Sequence, residues 1–457
     1  MKESQKHPEY DTQILNWNLM RDAYRGQRQT KSKNTLYLPA TSGHIADGMH
    51  INQPGYKAYQ AYLMRARFPN FLREAVQSAV GRMHSHPAKF ELPDEMKDIR
   101  SSKGETLSQL LRRINEEQLI TGRIGILADI WKNLPYLATY SAERITNWDN
   151  GSFDILPQVL NFVVLEESEY IRDGFEWTMK EKYRILRLDG DGYIITIDDS
   201  EIRPSRFGRK LGQIPFVIIN SCDLVADTDE PPLMDLGELC MTVYRGEADY
   251  RQALFMQGQD TLVIVGGTQD EDESIRTGAG SRIDVPMNGD AKYIGVESSG
   301  LSEQREALIE DRKRAGSMGA QSLDTVSRER ESGVSLGIRV AARTADLNQV
   351  ALTGAAGLEA ILKMCAEWMG LSSDGIVVTP NLEFGNSNLT GEDMIAVQTA
   401  RNLGYPVSAQ TLHKMASAKG ITELTYDEEK AEAEKEVNSV FEKAENGDRA
   451  PEQSMKG

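Results

Sequence analysis

Residues 231–254 read PPLMDLGELCMTVYRGEADYRQAL, and this stretch decides how the chain is organised. Two prolines are followed by apolar residues at helical spacing, which predicts a helix that continues to about residue 258. The apolar positions of its face are Leu233, Leu236, Cys240, Val243, Tyr244, Ala248 and Leu254. The sequence changes character at this helix, which therefore divides the chain into two regions.

The region before the helix predicts a mixture of helices and strands. Helical spacing of apolar residues is found in residues 8–25, which end at Gly26, in 55–83, which Pro69 divides, and in 104–121. Residues 153–219 are rich in β-branched residues, and DGDG at 189–192 predicts a hairpin turn between two of their strands. Residues 34–55 are turn-rich and predict a loop.

The region after the helix predicts a compact strand module followed mainly by helices. Strand-like runs in 260–297 are interrupted by the acidic turn TQDEDES. Residues 301–323 form a charged helix, in which Glu310 and Arg314 have the spacing of an i,i+4 ion pair. The remaining expected elements are a long helix at 338–369, a strand at 376–384, helices that begin near Thr390 and Ser408, and an acidic helix near the C-terminus.

Composition limits the classes of protein that the chain can represent. It has 457 residues, 40% of them hydrophobic, and a formal net charge of −17, so a module that binds duplex DNA tightly is disfavoured. Its three cysteines show no CxxC spacing, which indicates a reduced intracellular protein without a disulfide framework. We expect no signal peptide and no membrane-spanning segment, because the N-terminus is polar and the apolar runs are short.

The segment RERESGVSLGIR, residues 328–339, contains the G-x-S-x-G pattern of a serine-hydrolase nucleophile elbow around Ser335. An elbow requires a buried apolar strand before the serine, whereas four charged residues, 328–331, precede this one. The histidine of a triad would have to be His413, which lies in an ordinary predicted helix. We therefore expect a flexible loop and no enzyme, and keep a serine hydrolase using Ser335 as the alternative.

The sequence predicts no metal site. His84 and His86 are two residues apart, but no further ligand accompanies them and Pro87 favours a surface turn. DGDG and DEDES do not match the calcium-loop pattern, and P-loop, dinucleotide and HExxH motifs are absent from the sequence. This lack of a catalytic constellation favours an assembly or structural protein.

The order of the elements, together with a series of motifs, resembles the portal proteins of tailed bacteriophages. The motifs are HPEY…W…RDAYRG, YLP, YKAYQAYLMRARFPNF, GRIGILAD, PYLATYSAERITNW, the stretch 231–254 and NLEFGNSNL. The series covers most of the chain, and its order is more specific than any single motif. The motifs fix no residue with a chemical role, so the resemblance supplies an architecture rather than a site.

The resemblance implies an α+β portal fold with named parts. They are a wing (1–231, with a strand in 371–389), two stem helices (232–259 and 300–321), a clip (260–299), a tunnel loop (322–337), a long buttress helix (338–370), a helical crown (390–446) and a flexible tail (447–457).

The resemblance also implies a function. Portal proteins form a ring, usually of twelve subunits, at one capsid vertex, and viral double-stranded DNA is packaged and ejected through it. The expected partners are other copies of the chain, the terminase large subunit, head-completion or tail adaptor proteins, the major capsid protein and scaffold, and DNA in transit. No cofactor, metal or membrane partner is expected, and the location is the virion, or the host cytoplasm during assembly.

Two sets of residues are implied as contact sites. The DNA-facing set of the tunnel loop is Ser327, Arg328, Glu329, Arg330, Glu331, Ser332 and Gly333. The clip set, which would face terminase or an adaptor, is Asp270, Glu271, Asp272, Glu273 and Arg276. Arginine and glutamate alternate in the loop, so it can meet DNA without holding phosphates tightly. Another ring or adaptor protein of a virion is a further alternative, although such proteins are usually shorter and lack a wing.

Overall fold

The structure is a computed structural model that describes residues 4–131, 134–149, 160–205, 208–257, 261–265, 290–294, 299–320, 333–382, 391–403, 406–417, 422 and 424–435. It contains helices and strands in nearly the predicted order, which confirms the α+β class. The chain divides into two compact units, Met1–Phe384 and Gly385–Gly457.

Helices dominate the first unit. They are α1 (Pro8–Arg25), α2 (Gln27–Ser32), α3 (Ser42–Ala46), α4 (Pro54–Arg65), α5 (Phe71–Met83), α6 (Leu107–Thr121), α7 (Met234–Gln257), α8 (Ser299–Ala320) and α9 (Gly333–Met369). The predicted break at Pro69 is confirmed, since α4 ends at Arg65 and α5 begins at Phe71. Gly26 ends α1 at a φ of 85°, a conformation that favours glycine.

The strands of the first unit pair antiparallel throughout the described residues. They are β1 (Lys89–Glu91), β2 (Arg123–Trp131), β3 (Leu134–Ser141), β4 (Ile145–Asp149), β5 (Phe162–Glu166), β6 (Glu169–Asp173), β7 (Glu176–Lys180), β8 (Tyr183–Asp189), β9 (Gly192–Ile197), β10 (Ser200–Ile202), β11 (Phe216–Asn220), β12 (Thr261–Val265), β13 (Asp290–Ile294) and β14 (Val377–Thr379). They form a three-stranded sheet (β11-β2-β3), a five-stranded sheet (β10-β9-β8-β5-β4) and three two-stranded pairs (β1-β14, β6-β7, β12-β13). The predicted DGDG hairpin is confirmed by the pairing of Asp189 with Gly192.

The three-stranded sheet is buried on both faces, as the continuous apolar run of β11 predicts. Because side chains alternate along a strand, Ile126 of β2 packs in one core with α6 and α9 residues such as Ile114 and Leu358. Its neighbour Leu127 points into a second core with the five-stranded sheet and Trp17 of α1. Each such buried side chain contributes about 1.5–3 kcal/mol, so the sheet anchors the long helix α9.

A third core lies among the helices and holds the start of α7. Leu72 of α5, Tyr59 of α4 and Ala351 of α9 are buried in it with Met241 and Tyr244 of α7. These contacts fix the N-terminal half of α7 in the body of the unit.

Three segments differ from their predicted secondary structure. Helix α9 begins at Gly333, although a loop was expected to continue through residue 337. A glycine within a helix costs about 1 kcal/mol, and extending a helix that is already nucleated offsets this because each added residue gains a hydrogen bond. The predicted loop 34–55 contains α3. The predicted strand 376–384 is described only up to residue 382, and within that part only β14 is a strand, because Pro380 cannot donate to a sheet.

The second unit contains the expected C-terminal helices. They are α10 (Gly391–Asn402) and α11 (Ala409–Ser417), and residues 426–435 are also helical. Ser408 caps α11 as predicted, since its Oγ accepts the Thr411 N–H at 3.1 Å. Thr390 and the tail 447–457 lie outside the described residues.

Candidate functional site

Helices α7 and α8 lie side by side and run in opposite directions, and we call them the helix pair. At one end Gly319 lies against Leu236, since a Cβ atom on Gly319 would lie 3.9 Å from the Leu236 Cδ2. Farther along, a Cβ atom on Gly246 would lie 3.0 Å from the Leu308 Cδ2. Glycine at these positions lets the two helices approach closely. Residues 258–298 connect the helices at the far end of the pair.

A buried carboxylate ties the two helices together. The side chain of Glu247 on α7 is only 4% exposed. Its Oε2 accepts a hydrogen bond from Arg251 Nε at 2.5 Å, and its Oε1 accepts one from Arg312 of α8. A carboxylate that is removed from water needs such charge-assisted partners. The three residues, which we call the Glu247 clamp, therefore fix the register of α8 on α7.

Helix α4 braces the helix pair from another side. The hydroxyl of Tyr62 donates to Asp249 Oδ1 at 2.5 Å, and Arg65 Nη1 donates to Gln252 Oε1 at 2.8 Å. Burial, followed by the hydrogen bond to Asp249, raises the pKa of Tyr62 well above its usual range, so this hydroxyl remains a donor. The far half of α7 is thus held by polar contacts, whereas its first half is held by the apolar core.

Most of α8 faces away from the rest of the unit. Among its described side chains only Leu308 and Ala315 are buried. The helix carries four acidic and four basic residues and is neutral overall. The predicted ion pair between Glu310 and Arg314 does not form among the described contacts, because exposed i,i+4 pairs gain little over hydration. Arg312 instead reaches the Glu247 clamp.

A β-hairpin lies within the connection between the two helices. Strands β12 and β13 pair antiparallel, with Thr261 opposite Ile294 and Val265 opposite Asp290. Strands were expected on both sides of an acidic segment here, and the structure has them. The predicted clip residues Asp270, Glu271, Asp272, Glu273 and Arg276 all lie outside the described residues.

The predicted tunnel loop lies mostly outside the described residues, which resume at Gly333. This applies to Ser327, Arg328, Glu329, Arg330, Glu331 and Ser332. Gly333 is the first residue of α9, and Ser335 and Gly337 follow in the same helix. A nucleophile elbow places its serine on a turn between a strand and a helix, so the backbone at Ser335 does not have the elbow conformation. The Nε2 atom of His413, in α11, lies 3.1 Å from the Leu424 carbonyl oxygen.

The two histidines considered as metal ligands have different surroundings. The Nε2 of His84 lies 2.9 Å from Asn115 Oδ1, and burial lowers the pKa of this imidazole. His86 is exposed. Across the described part of the chain, no group of three or more His, Cys, Asp or Glu side chains is placed to hold a metal ion. Among the described residues, no helix is both long enough and apolar enough to cross a bilayer.

Sequence reasoning identified the helix pair but missed its clamp. The i,i+4 spacing of Glu247 and Arg251 was available in the sequence as a signal. The third member, Arg312, is far away along the chain, and its role becomes visible only when the register of the two helices is known.

The helix pair lies in the part of the chain that matches a known family. Residues 232–369 match the domain of unknown function DUF4055. The matched residues of this chain include the helix pair, the hairpin and α9. A comparison with curated protein sequences found no match.

Solved structures with a similar chain come from gene transfer agent (GTA) particles. A chain of the virion of the native GTA particle is 13% identical with a TM-score of 0.42, and the match covers 76% of this chain and 90% of that one. A chain of the neck of the native GTA particle, computed with C12 symmetry, is 14% identical with a TM-score of 0.38, and the match covers 77% of this chain and 91% of that one.

Proposed function

We propose that this chain is the subunit of a portal-type ring. Copies of the chain would surround a channel at one capsid vertex of a tailed-phage-like particle, and double-stranded DNA would pass through that channel during packaging and ejection. The observation that carries the proposal is the helix pair, in which two antiparallel helices are connected through a β-hairpin and most residues of one helix are exposed.

The exposure of α8 supports an assembly role. The helix has 22 residues, so at 1.5 Å per residue it extends for about 33 Å. A helix of this length with a polar surface on nearly every side gains little stability from its own chain. Contacts with neighbouring copies would supply the missing packing, and a closed ring provides them on both sides of every subunit.

The charge of the helix pair suits a channel through which DNA slides. Each phosphate that Lys or Arg neutralises adds affinity, and the symmetry of a ring multiplies that affinity by the number of subunits. Helix α8 carries equal numbers of acidic and basic residues, and the chain as a whole has a net charge of −17. Such a surface guides DNA without retaining it.

The parts of the chain receive the following roles in the proposal. The hairpin segment 260–299 docks terminase and later the head-completion or tail adaptor proteins, and residues 327–333 approach the DNA. The N-terminal region meets the major capsid protein and scaffold. The chain acts without a catalytic step or a cofactor, and it is located in the virion after assembly in the host cytoplasm.

The role of the segment before α9 can be tested in particles. We expect deletion of residues 326–335 to leave ring assembly and incorporation into heads intact but to reduce the amount of packaged DNA. The matched control is Ser335→Ala, which removes only the hydroxyl and should package normally. Normal packaging by the deletion variant would contradict the proposed DNA-facing role, and loss of packaging by Ser335→Ala together with an esterase activity of the wild type would favour the hydrolase.

A further inference from the structure

A basic pocket lies where α2, α4 and the far end of α7 meet. Its cavity has a volume of about 590 Å³, and its lining contains no carboxylate. The lining includes four cationic side chains, Lys31, Arg65, Arg67 and Arg251, together with Phe255. We call this cavity the basic pocket.

Three of the four cations have no carboxylate partner among the described contacts, whereas Arg251 is paired in the Glu247 clamp. The Nζ of Lys31 donates to the Met64 carbonyl oxygen at 3.1 Å, and Arg65 donates to an amide and lies 3.6 Å from the centre of the Phe255 ring. Burial, followed by the charge of nearby Arg67, lowers the pKa of Lys31. The pocket therefore favours a ligand that carries several negative charges.

The exposed face of α8 carries the complementary charge. Glu303, Glu306 and Glu310 follow one another at intervals of three and four residues, so they form one stripe, opposite the buried Leu308 and Ala315. All three glutamates are exposed, and the described contacts contain no ion pair to any of them. We call them the acidic stripe.

The basic pocket and Glu303, the first residue of the acidic stripe, lie at the same level along the helix pair. The helices are antiparallel and Gly246 meets Leu308, so the next turn of α7, with Arg251, lies beside the preceding turn of α8, with Glu303. The residues that line the pocket come from α2, α4, α7 and the connection after α4, and α8 contributes none of them. The pocket and the stripe thus belong to different helices, and the pocket is level with Glu303.

We infer that the acidic stripe of one copy docks into the basic pocket of the next copy. This inference rests on the proposed ring. A closed ring relates its subunits by rotation about one axis, and with the helix pair standing along that axis the pocket and Glu303 lie at one height, where two different surfaces can meet around the ring. Exposed apolar side chains also favour a protein over a phosphate backbone as the occupant, because Met64 at the pocket is 79% exposed and Ile309 beside the stripe is 39% exposed.

Charge reversal on the two surfaces tests the inference. Arg67→Glu changes the pocket, and Glu303→Arg with Glu306→Arg changes the stripe. All three side chains are exposed, so the variants should fold normally, which circular dichroism checks. Matched controls are Lys57→Glu, on the same helix as the pocket, and Glu95→Arg.

Sedimentation velocity of the full chain measures the assembly of each variant. We expect each variant to need about tenfold or more higher concentration than the wild type, because the pocket variant loses two units of positive charge and the stripe variant presents a net positive stripe to a positive pocket. An equimolar mixture of the two should assemble more readily than either variant alone, because the unchanged stripe of the pocket variant then meets the unchanged pocket of the stripe variant. The controls should assemble as the wild type does.

The outcomes separate this inference from the ring itself. A wild-type chain that stays monomeric at every concentration contradicts the proposed function, and with it the inference. Rings that form equally well from the wild type and both variants overturn the inference and leave the ring standing. A mixture that assembles no better than either variant alone shows that the two surfaces do not meet. Normal assembly of Arg67→Glu with weaker binding of a labelled DNA duplex shows that the pocket takes phosphate, which also overturns the inference.

Discussion

The Glu247 clamp gives a quantitative prediction about the helix pair. Glu247→Gln keeps the size of the side chain but removes its charge, so both arginines lose a carboxylate partner. Hydrogen bonds to charged groups contribute about 1.5–3 kcal/mol each. The side chains of Arg251 and Arg312 are 30% and 45% exposed and recover part of that loss by hydration. We therefore expect a total loss of about 2 kcal/mol.

The loss should be concentrated in α8, because that helix has few other buried contacts. A loss of about 2 kcal/mol corresponds to roughly 30-fold more frequent local opening. Hydrogen exchange of residues 299–320, together with denaturant unfolding, measures this change. The matched control is Glu238→Gln on an exposed position of α7, which should change stability by less than about 0.5 kcal/mol. If Glu247→Gln exchanges and unfolds as this control does, the clamp does not hold α8.

Two further predictions concern glycine and cysteine. Gly55→Ala should prevent stable folding of the α3–α4 region, because the new Cβ atom would lie 2.1 Å from the His44 carbonyl oxygen. Gly81→Ala should stabilise the protein by up to about 1 kcal/mol through helix propensity, because its new Cβ atom would have no heavy atom within 4 Å. Thermal unfolding of both variants checks this. Iodoacetamide should label Cys222 alone in the native protein, because Cys240 and Cys365 are buried and burial raises their thiol pKa values to about 11 and about 12. Burial and nearby aspartates also raise the pKa of Cys222, so its labelling should accelerate as the pH rises towards 9 and beyond. Mass spectrometry measures the labelling of each thiol. Equal labelling of all three would contradict the described burial.

The sequence predicted most elements of the fold because local signals and tertiary packing agree. The apolar spacing of α1 ends at Gly26, and the continuous apolar run of β11 is buried on both faces. The start of α9 was placed too late, since Gly333 and Gly337 suggest a loop when they are considered locally. Their cost is offset because later residues of the same helix are buried in all three cores.

The candidate site was less accessible from the sequence than the fold. Spacing along one helix reveals neighbours such as Glu247 and Arg251, and it reveals the stripe from Glu303 to Glu310. It does not reveal that Arg312 closes the clamp or that Lys31 and Arg67 share a cavity with the end of α7. These contacts depend on how separate helices pack, which local periodicity does not encode.

Electron microscopy of the purified chain tests the central claim most directly. We expect rings of copies around a central channel wide enough for duplex DNA, with the helix pairs standing side by side around it. Class averages that show only monomers, or compact dimers without a channel, at concentrations where the chain is fully folded would contradict it.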